Sequence, residues 1–301
     1  MSDNESQIYA APATGRFYSP IHLTFDPMER LALLDFENDP DYTCLELQIF
    51  DDEVKGQGAA ALLYRSDEKI DFYMTPGLRL DREKADVGAG VGQWTSQDFA
   101  HRLEITPRGL DCLVARTLKD GRPLSFRIKE DRKRVARPIT ILAPLGAGIQ
   151  RPSFLPLFRM HDLDLVQRAT AQFAWKIGDE ERAPIDLPMP MPYNGRMVHF
   201  VRYCPDPMIG LLNTAYDGPL PALTPGGSGG VQQGGMTYDL VDNEGHHETR
   251  RVSARNPRHE ISVTFSPPLP DLACLRDGLE LQGSFGVGVD DAPDIVAGTY
   301  E

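Results

Sequence analysis

Two stretches of the chain, GRFYSPIHLTFDPM at residues 15–28 and GRMVHFVRYCPDPM at 195–208, begin and end alike at a separation of 180 residues. At the same offset Leu31 meets Leu211, Phe36 meets Tyr216 and Glu37 meets Asp217. Further on, Ile49–Glu53 (IFDDE) matches Leu240–Glu244 (LVDNE), and Ile70–Leu78 matches Ile261–Leu269, both at offset 191. The change of eleven residues is close to the length of the glycine-rich stretch Thr224–Gly235 (TPGGSGGVQQGG), where an insertion is tolerated. A third block pairs Gly109-Leu-Asp111 with Gly278-Leu-Glu280, and Asp120…Glu130 with Asp291…Glu301. Matches in order, with gaps falling in loops, predict an internal duplication. The expected units are 1–150 and 151–301, the second carrying a proline-rich connector at 183–194 (APIDLPMPMPYN).

Within each unit the apolar runs are short, rich in β-branched and aromatic residues, and bounded by Gly, Pro, Asn or Asp, which predicts strands. Thr43–Phe50, Ile70–Met74, Gly109–Thr117, Leu124–Lys129, Met197–Tyr203, Ile261–Phe265 and Leu279–Val289 are the clearest. Lys119-Asp120-Gly121 sets a hairpin turn between two of them. Leu163–Trp175 has Leu163, Val166, Ala169 and Phe173 at helical spacing, with a strand as the competing reading. The expected fold is all-β, two related antiparallel β-barrel units of lipocalin type in tandem. Glycines within strand-like runs, at 88–92 and 283–288, suit the coiling of a barrel wall. GAGVG at 88–92 lacks the third glycine and the βαβ setting of a dinucleotide fingerprint, and 224–235 lacks the Lys of a phosphate loop.

The chain has 301 residues, 41% hydrophobic, enough for packed cores, and its net charge of −13 has the wrong sign for nucleic acid or anionic lipid surfaces. The acidic, polar start MSDNESQIYAAPATGR is unlike a secretory leader, and Cys44, Cys112, Cys204 and Cys274 are widely spaced. The expectation is a cytoplasmic protein with reduced core cysteines and no membrane partner.

Phe17-Tyr-Ser-Pro20 followed by Asp26-Pro27 is similar to the "FSPYY … DP" opening of the hydroxyneurosporene synthase (carotenoid hydratase) family. Gly109-Leu-Asp111, Phe126–Glu130 and Arg137–Pro144 resemble that family's succession of two strands, an acidic residue, a proline and a further strand. The family includes barrel cyclases of the Diels–Alderase type. The resemblance covers mainly residues 15–144, and its tryptophan-rich closing segment is missing, since residues 278–301 contain no Trp. It implies tandem lipocalin-like barrels and cofactor-free chemistry on, or binding of, a terpenoid, polyene or polyketide.

A barrel lumen admits one small apolar ligand, and hydration of an alkene needs an acid and a base. Asp35 ends the apolar run Leu31–Leu34, and Glu46 sits within LELQIF; both are carboxyls in apolar surroundings, where desolvation raises the pKa. The alternative for Glu46 and Gln48 is a face turned to water. His22 and Arg202 fall at matched positions on the opening strands, and His199 and Tyr203 share the other strand face, although rim or core histidines give the same pattern. Asp35, His22 and His199 are the catalytic candidates. Glu46, Trp94, His101, Trp175, Arg202, Tyr203 and Tyr216 are the ligand-binding candidates, with core packing as the alternative for both tryptophans. His246-His247-Glu248 and His259-Glu260 look metal-like, but adjacent strand histidines point to opposite faces, so no metal site and no cofactor is expected. The leading reading is a lyase, hydratase or cyclase acting on a small hydrophobic molecule. The alternatives are a non-enzymatic binding protein, its second barrel a scaffold or homodimer contact, and a carbohydrate-active β-sandwich with two carboxylates across a groove.

Overall fold

The computed structural model describes residues 8–19, 21–37, 39–82, 90–135, 138–144, 154–187, 197–213, 222–225, 230–233, 235–255, 258–290, 292 and 296–300. Among these the regular structure is all β, apart from single 3-10 turns at Arg168–Thr170 and Leu272–Cys274. The strands form three sheets, and none closes on itself. The expected closed barrels are therefore corrected to open sheets. Closure requires first and last strands to pair, whereas these sheets retain distinct end strands.

The chain divides into two compact units, each discontinuous in sequence. Unit 1 is Met1–Asp26, Leu142–Leu157 and Ile209–Glu301; unit 2 is Pro27–Ile141 and Phe158–Met208. Strands β1 (His22–Pro27), β10 (Ile139–Pro144), β11 (Phe154–Gln167) and β15 (Asp206–Asn213) carry the chain from one unit into the other. The expected limit at 150/151 falls outside the described residues.

Unit 2 holds β2 (Arg30–Asp35), β3 (Tyr42–Asp52), β4 (Gly56–Arg65), β5 (Ile70–Met74), β6 (Val91–Ser96), β7 (Ala100–Thr106), β8 (Gly109–Thr117) and β9 (Pro123–Glu130). It also holds β12 (Ala171–Ile177), β13 (Glu180–Glu181) and β14 (Val198–Cys204). In its larger sheet the order runs β11-β14-β2-β3-β4-β5-β6, antiparallel until the parallel pair β5-β6. The smaller sheet runs β13-β12-β9-β8-β7. The 163–175 stretch, where helical spacing competes with strand character, is extended: β11 ends at Gln167 and β12 starts at Ala171.

The two sheets of unit 2 pack face to face. Alternation along each strand sends Ala32, Leu34, Leu45, Leu47, Ala61, Leu63, Tyr73 and Val201 inward against Leu103, Val114, Phe126, Ile128, Trp175 and Ile177. Full burial of each larger aliphatic side chain contributes about 1.5–3 kcal/mol. Trp175 is 2% exposed and stacks on Phe36 with ring centroids 3.6 Å apart.

One polar network crosses this sandwich. Arg132, just past β9, donates Nε to Glu130 Oε1 at 2.8 Å, Nη2 to Glu130 Oε2 at 3.0 Å and Nη1 to Asp164 Oδ2 at 2.6 Å. Its Nη2 also reaches the Leu165 carbonyl at 2.6 Å and the Tyr203 hydroxyl at 3.0 Å. The Gln167 amide closes on Glu130 Oε1 at 2.6 Å. The Glu130 and Arg132 side chains are 0% and 4% exposed, so the charges are buried together and fully bonded. Gly109, at φ +144, starts β8 so close to this corner that a Cβ would lie 2.5 Å from the Glu130 carbonyl oxygen.

Unit 1 contains β16 (Gly230–Gln233), β17 (Met236–Asn243), β18 (His246–Arg255), β19 (Glu260–Leu269), β20 (Gly283–Val289) and β21 (Val296–Tyr300), paired in sequence order. The meanders β3-β4-β5 and β17-β18-β19 correspond at the sequence offset of 191. Beyond them the architectures part, because β20 pairs with β19 whereas β8 and β9 lie in a separate sheet. The fold does not show the duplication.

Replacing Arg132 by Met leaves two carboxylates in the sandwich without their cation, at an expected cost of about 3–5 kcal/mol. Urea denaturation should show a lower midpoint, and R132M/E130Q should lose less than the sum of the single variants. Gly109→Ala should cost about 1 kcal/mol or more by the same measurement, since the strand cannot shift away from Glu130 freely.

Candidate functional site

The second face of the large sheet in unit 2 carries the polar residues. Register places Arg202 opposite Leu33, Leu33 opposite Glu46, Glu46 opposite Leu62, Leu62 opposite Phe72 and Phe72 opposite Trp94. The adjacent row sets Asp35 beside Cys44 and Cys44 beside Tyr64. An antiparallel sheet commonly leaves one face to water, but here Leu31, Glu46, Gln48, Leu62, Ile70, Phe72 and Met74 are all buried. Leu33, Asp35, Tyr64, Trp94 and Arg202 are half-buried.

Glu46 is 3% exposed and among the described residues has only neutral donors: Gln48 Nε2 at 2.6 Å on Oε1 and the Tyr64 hydroxyl at 2.7 Å on Oε2. Burial raises its pKa, against the smaller opposing pull of Gln48, Tyr64 and the Arg202 charge. Asp35 is partnered differently. Arg202 Nη2 donates to its Oδ2 at 2.7 Å, with the guanidinium carbon 4.3 Å from the Phe200 ring centroid. Burial pushes Asp35 upward as well, and Arg202 and the Cys44 thiol oppose it. Cys44 is raised well above the usual thiol value by burial and by the two carboxylates, so it serves as a neutral bridge. The two carboxyls occupy diagonal positions on neighbouring strands, a relation of about 7–8 Å.

The structure thus gathers Asp35, Glu46 and Arg202, with Trp94 further along the same face, and adds Gln48, Tyr64 and Cys44. It disperses the rest. His199 and Tyr203 share the inner face, opposite to Asp35: His199 Nδ1 lies 2.5 Å from Asp186 Oδ1, and Tyr203 belongs to the Arg132 network. His199 therefore cannot act on the same group as Asp35, because the sheet lies between them. Trp175 packs in the core, and its indole nitrogen has no hydrogen-bond partner among the described residues. His101 is exposed on β7, with Nδ1 3.1 Å from the Phe99 carbonyl, away from the cluster. The side chain of His22 and the whole of Tyr216 lie outside the described residues. The connector reaches the site by its backbone, the Ile185 amide donating to the Asp35 carbonyl at 3.0 Å and the Phe200 amide to the Ile185 carbonyl at 2.6 Å.

A separate open cleft of about 580 Å³ in unit 2 is lined by Asp41, Tyr42, Arg65, Asp71, Asp120 and Arg122 among others. Its charges neutralise one another, Arg122 lying 2.7 Å from both Asp41 and Asp120. Such a cleft offers little to an apolar ligand. Among the described residues, no helix is long and apolar enough to cross a membrane. Comparison with family models, curated proteins and solved structures finds no match to the chain.

The sign of the Glu46 contribution to stability follows from its raised pKa. Above the ordinary value of 4.5 the unfolded chain has released this proton while the folded chain still holds it, so stability falls as pH rises through the folded value. Glu46→Gln keeps an acceptor for Gln48 and removes the titration. Thermal melts from pH 4.5 upward should show a flatter profile for E46Q than for wild type, with E46Q gaining relative stability as pH increases.

Proposed function

We propose that the chain binds a small hydrophobic molecule of terpenoid, polyene or polyketide class along the Leu33, Leu62, Phe72 and Trp94 row, and transfers protons to it without a cofactor. The observation that carries this reading is the unequal partnering of two neighbouring carboxyls on an apolar face. Glu46, with neutral donors only, is suited to remain protonated; Asp35, with Arg202, is suited to remain ionised. Environments that separate two titrating groups assign the acid and the base. In a hydration, Glu46 gives its proton to an alkene carbon, water attacks the resulting cation, and Asp35 takes the proton that water releases. Elimination is the reverse; in a cyclisation a second double bond attacks the cation, and Asp35 takes a proton from a carbon beside the new ring cation to leave an alkene. A sugar would need the carboxyl pair in an open polar groove, whereas Glu46 is 3% exposed beside Leu33 and Leu62.

Solvent extraction and mass spectrometry of the purified chain would identify a co-purifying compound. Titration with it should quench Trp94, and Trp94→Phe should remove that change, leaving core-packed Trp175 as a constant background. E46Q should retain binding and lose about 10²-fold or more in turnover. Weakened binding in E46Q and D35N, with no turnover in any form, would favour the non-enzymatic binding protein. Failure of apolar compounds to bind at all would end both readings.

A further inference from the structure

Unit 1 contains a buried constellation that the proposed function does not use. His246 opens β18, Asp271 caps the 3-10 turn Leu272–Cys274, and Cys274 ends that turn. Their exposures are 8%, 2% and 1%. One ring nitrogen of His246, one carboxylate oxygen of Asp271 and the Cys274 sulfur all lie within 4.8 Å of one another.

The surroundings fix these three groups and leave one demand unmet. Asp271 Oδ1 accepts from the amides of Tyr18 at 3.1 Å and Ala273 at 3.0 Å, which holds the carboxylate in place. The Tyr9 ring stacks on His246, with centroids 3.7 Å apart and planes inclined by 7°, and its hydroxyl donates to Glu248 at 2.9 Å. The Ala10 amide donates to the Cys274 carbonyl at 2.8 Å. Yet His246 Nδ1, buried, has no hydrogen-bond partner among the described residues. A buried ring nitrogen without a partner is costly unless something else occupies it.

We propose that His246, Asp271 and Cys274 bind a divalent cation of the zinc class. Imidazole, carboxylate and thiolate are the donor set of zinc, whereas a thiolate disfavours calcium and magnesium. Bonds of about 2.0–2.3 Å place tetrahedral donors roughly 3.5 Å apart, so a small closure of the trio suffices. Three protein ligands leave the fourth position to water. On binding, Cys274 loses its thiol proton to solvent and the metal takes its place. A cysteine nucleophile is the competing use of the same trio, but that requires a thiol accessible to substrate, and Cys274 is 1% exposed.

The test uses the full chain, stripped with chelator and titrated with zinc and with cobalt(II). One equivalent of zinc by elemental analysis and a thiolate-to-cobalt charge-transfer band in the near ultraviolet are expected. Cys274→Ser should abolish the band. His246→Gln should weaken zinc by more than the roughly 10–100-fold that loss of an outer-shell partner costs. His247→Gln, on the opposite strand face, should change neither. Zinc should raise the melting temperature of wild type and H247Q but not of C274S or H246Q, which separates lost binding from lost folding. Substoichiometric metal, or a band that survives in C274S and so arises from another cysteine, would overturn the proposal.

Discussion

Arg132 is the fastening on which the sandwich of unit 2 depends. Its guanidinium leaves the end of β9 in the smaller sheet and binds Asp164 and Leu165 of β11 and Tyr203 of β14 in the larger one, with Glu130 held between. Apolar packing between sheets is tolerant of sliding, because it is roughly proportional to area and has no direction. A bidentate ion pair with all three guanidinium nitrogens engaged is directional, and favours one placement of the strands over another. The same strand β14 pairs with β2, which brings Arg202 to Asp35.

A strand pair presents alternate residues to opposite faces, so β14 does two jobs at once. Val201 and Tyr203 turn inward to the core while Arg202 turns to the face that carries Asp35 and Glu46. The candidate site thus rests on the same strand that the core immobilises. This suits a site whose groups must hold fixed positions, since rigid elements place side chains better than loops do.

Much of the local structure was legible. Ile70–Met74 and Gly109–Thr117 are strands with the expected limits, because period-two alternation and turn residues act locally. The closed barrel was not legible as wrong, because closure depends on pairings between distant segments such as β2 with β14 and β9 with β12. The burial of Glu46 was hidden for a related reason: alternation reveals which residues share a face, but not whether that face is covered. Arg132 stands among charged neighbours in Asp131-Arg132-Lys133-Arg134, and only the fold shows that it turns inward. His246 and His247 were correctly separated onto two faces, but the spacing Asp271-x-x-Cys274, the one local signal of the buried trio, carries no weight until a distant histidine is known to meet it.

The discontinuity of the two units bears on how the chain acquires its structure during synthesis. Unit 1 joins Met1–Asp26 to Ile209–Glu301 across the segments of unit 2, so it cannot be complete before Ile209–Glu301 has been synthesised. Unit 2 has all its segments once Met208 has emerged, and can order itself while Ile209–Glu301 is still being made. A cut between Asp26 and Ile209 separates the segments that make up unit 1, so that unit is not recovered by simple truncation.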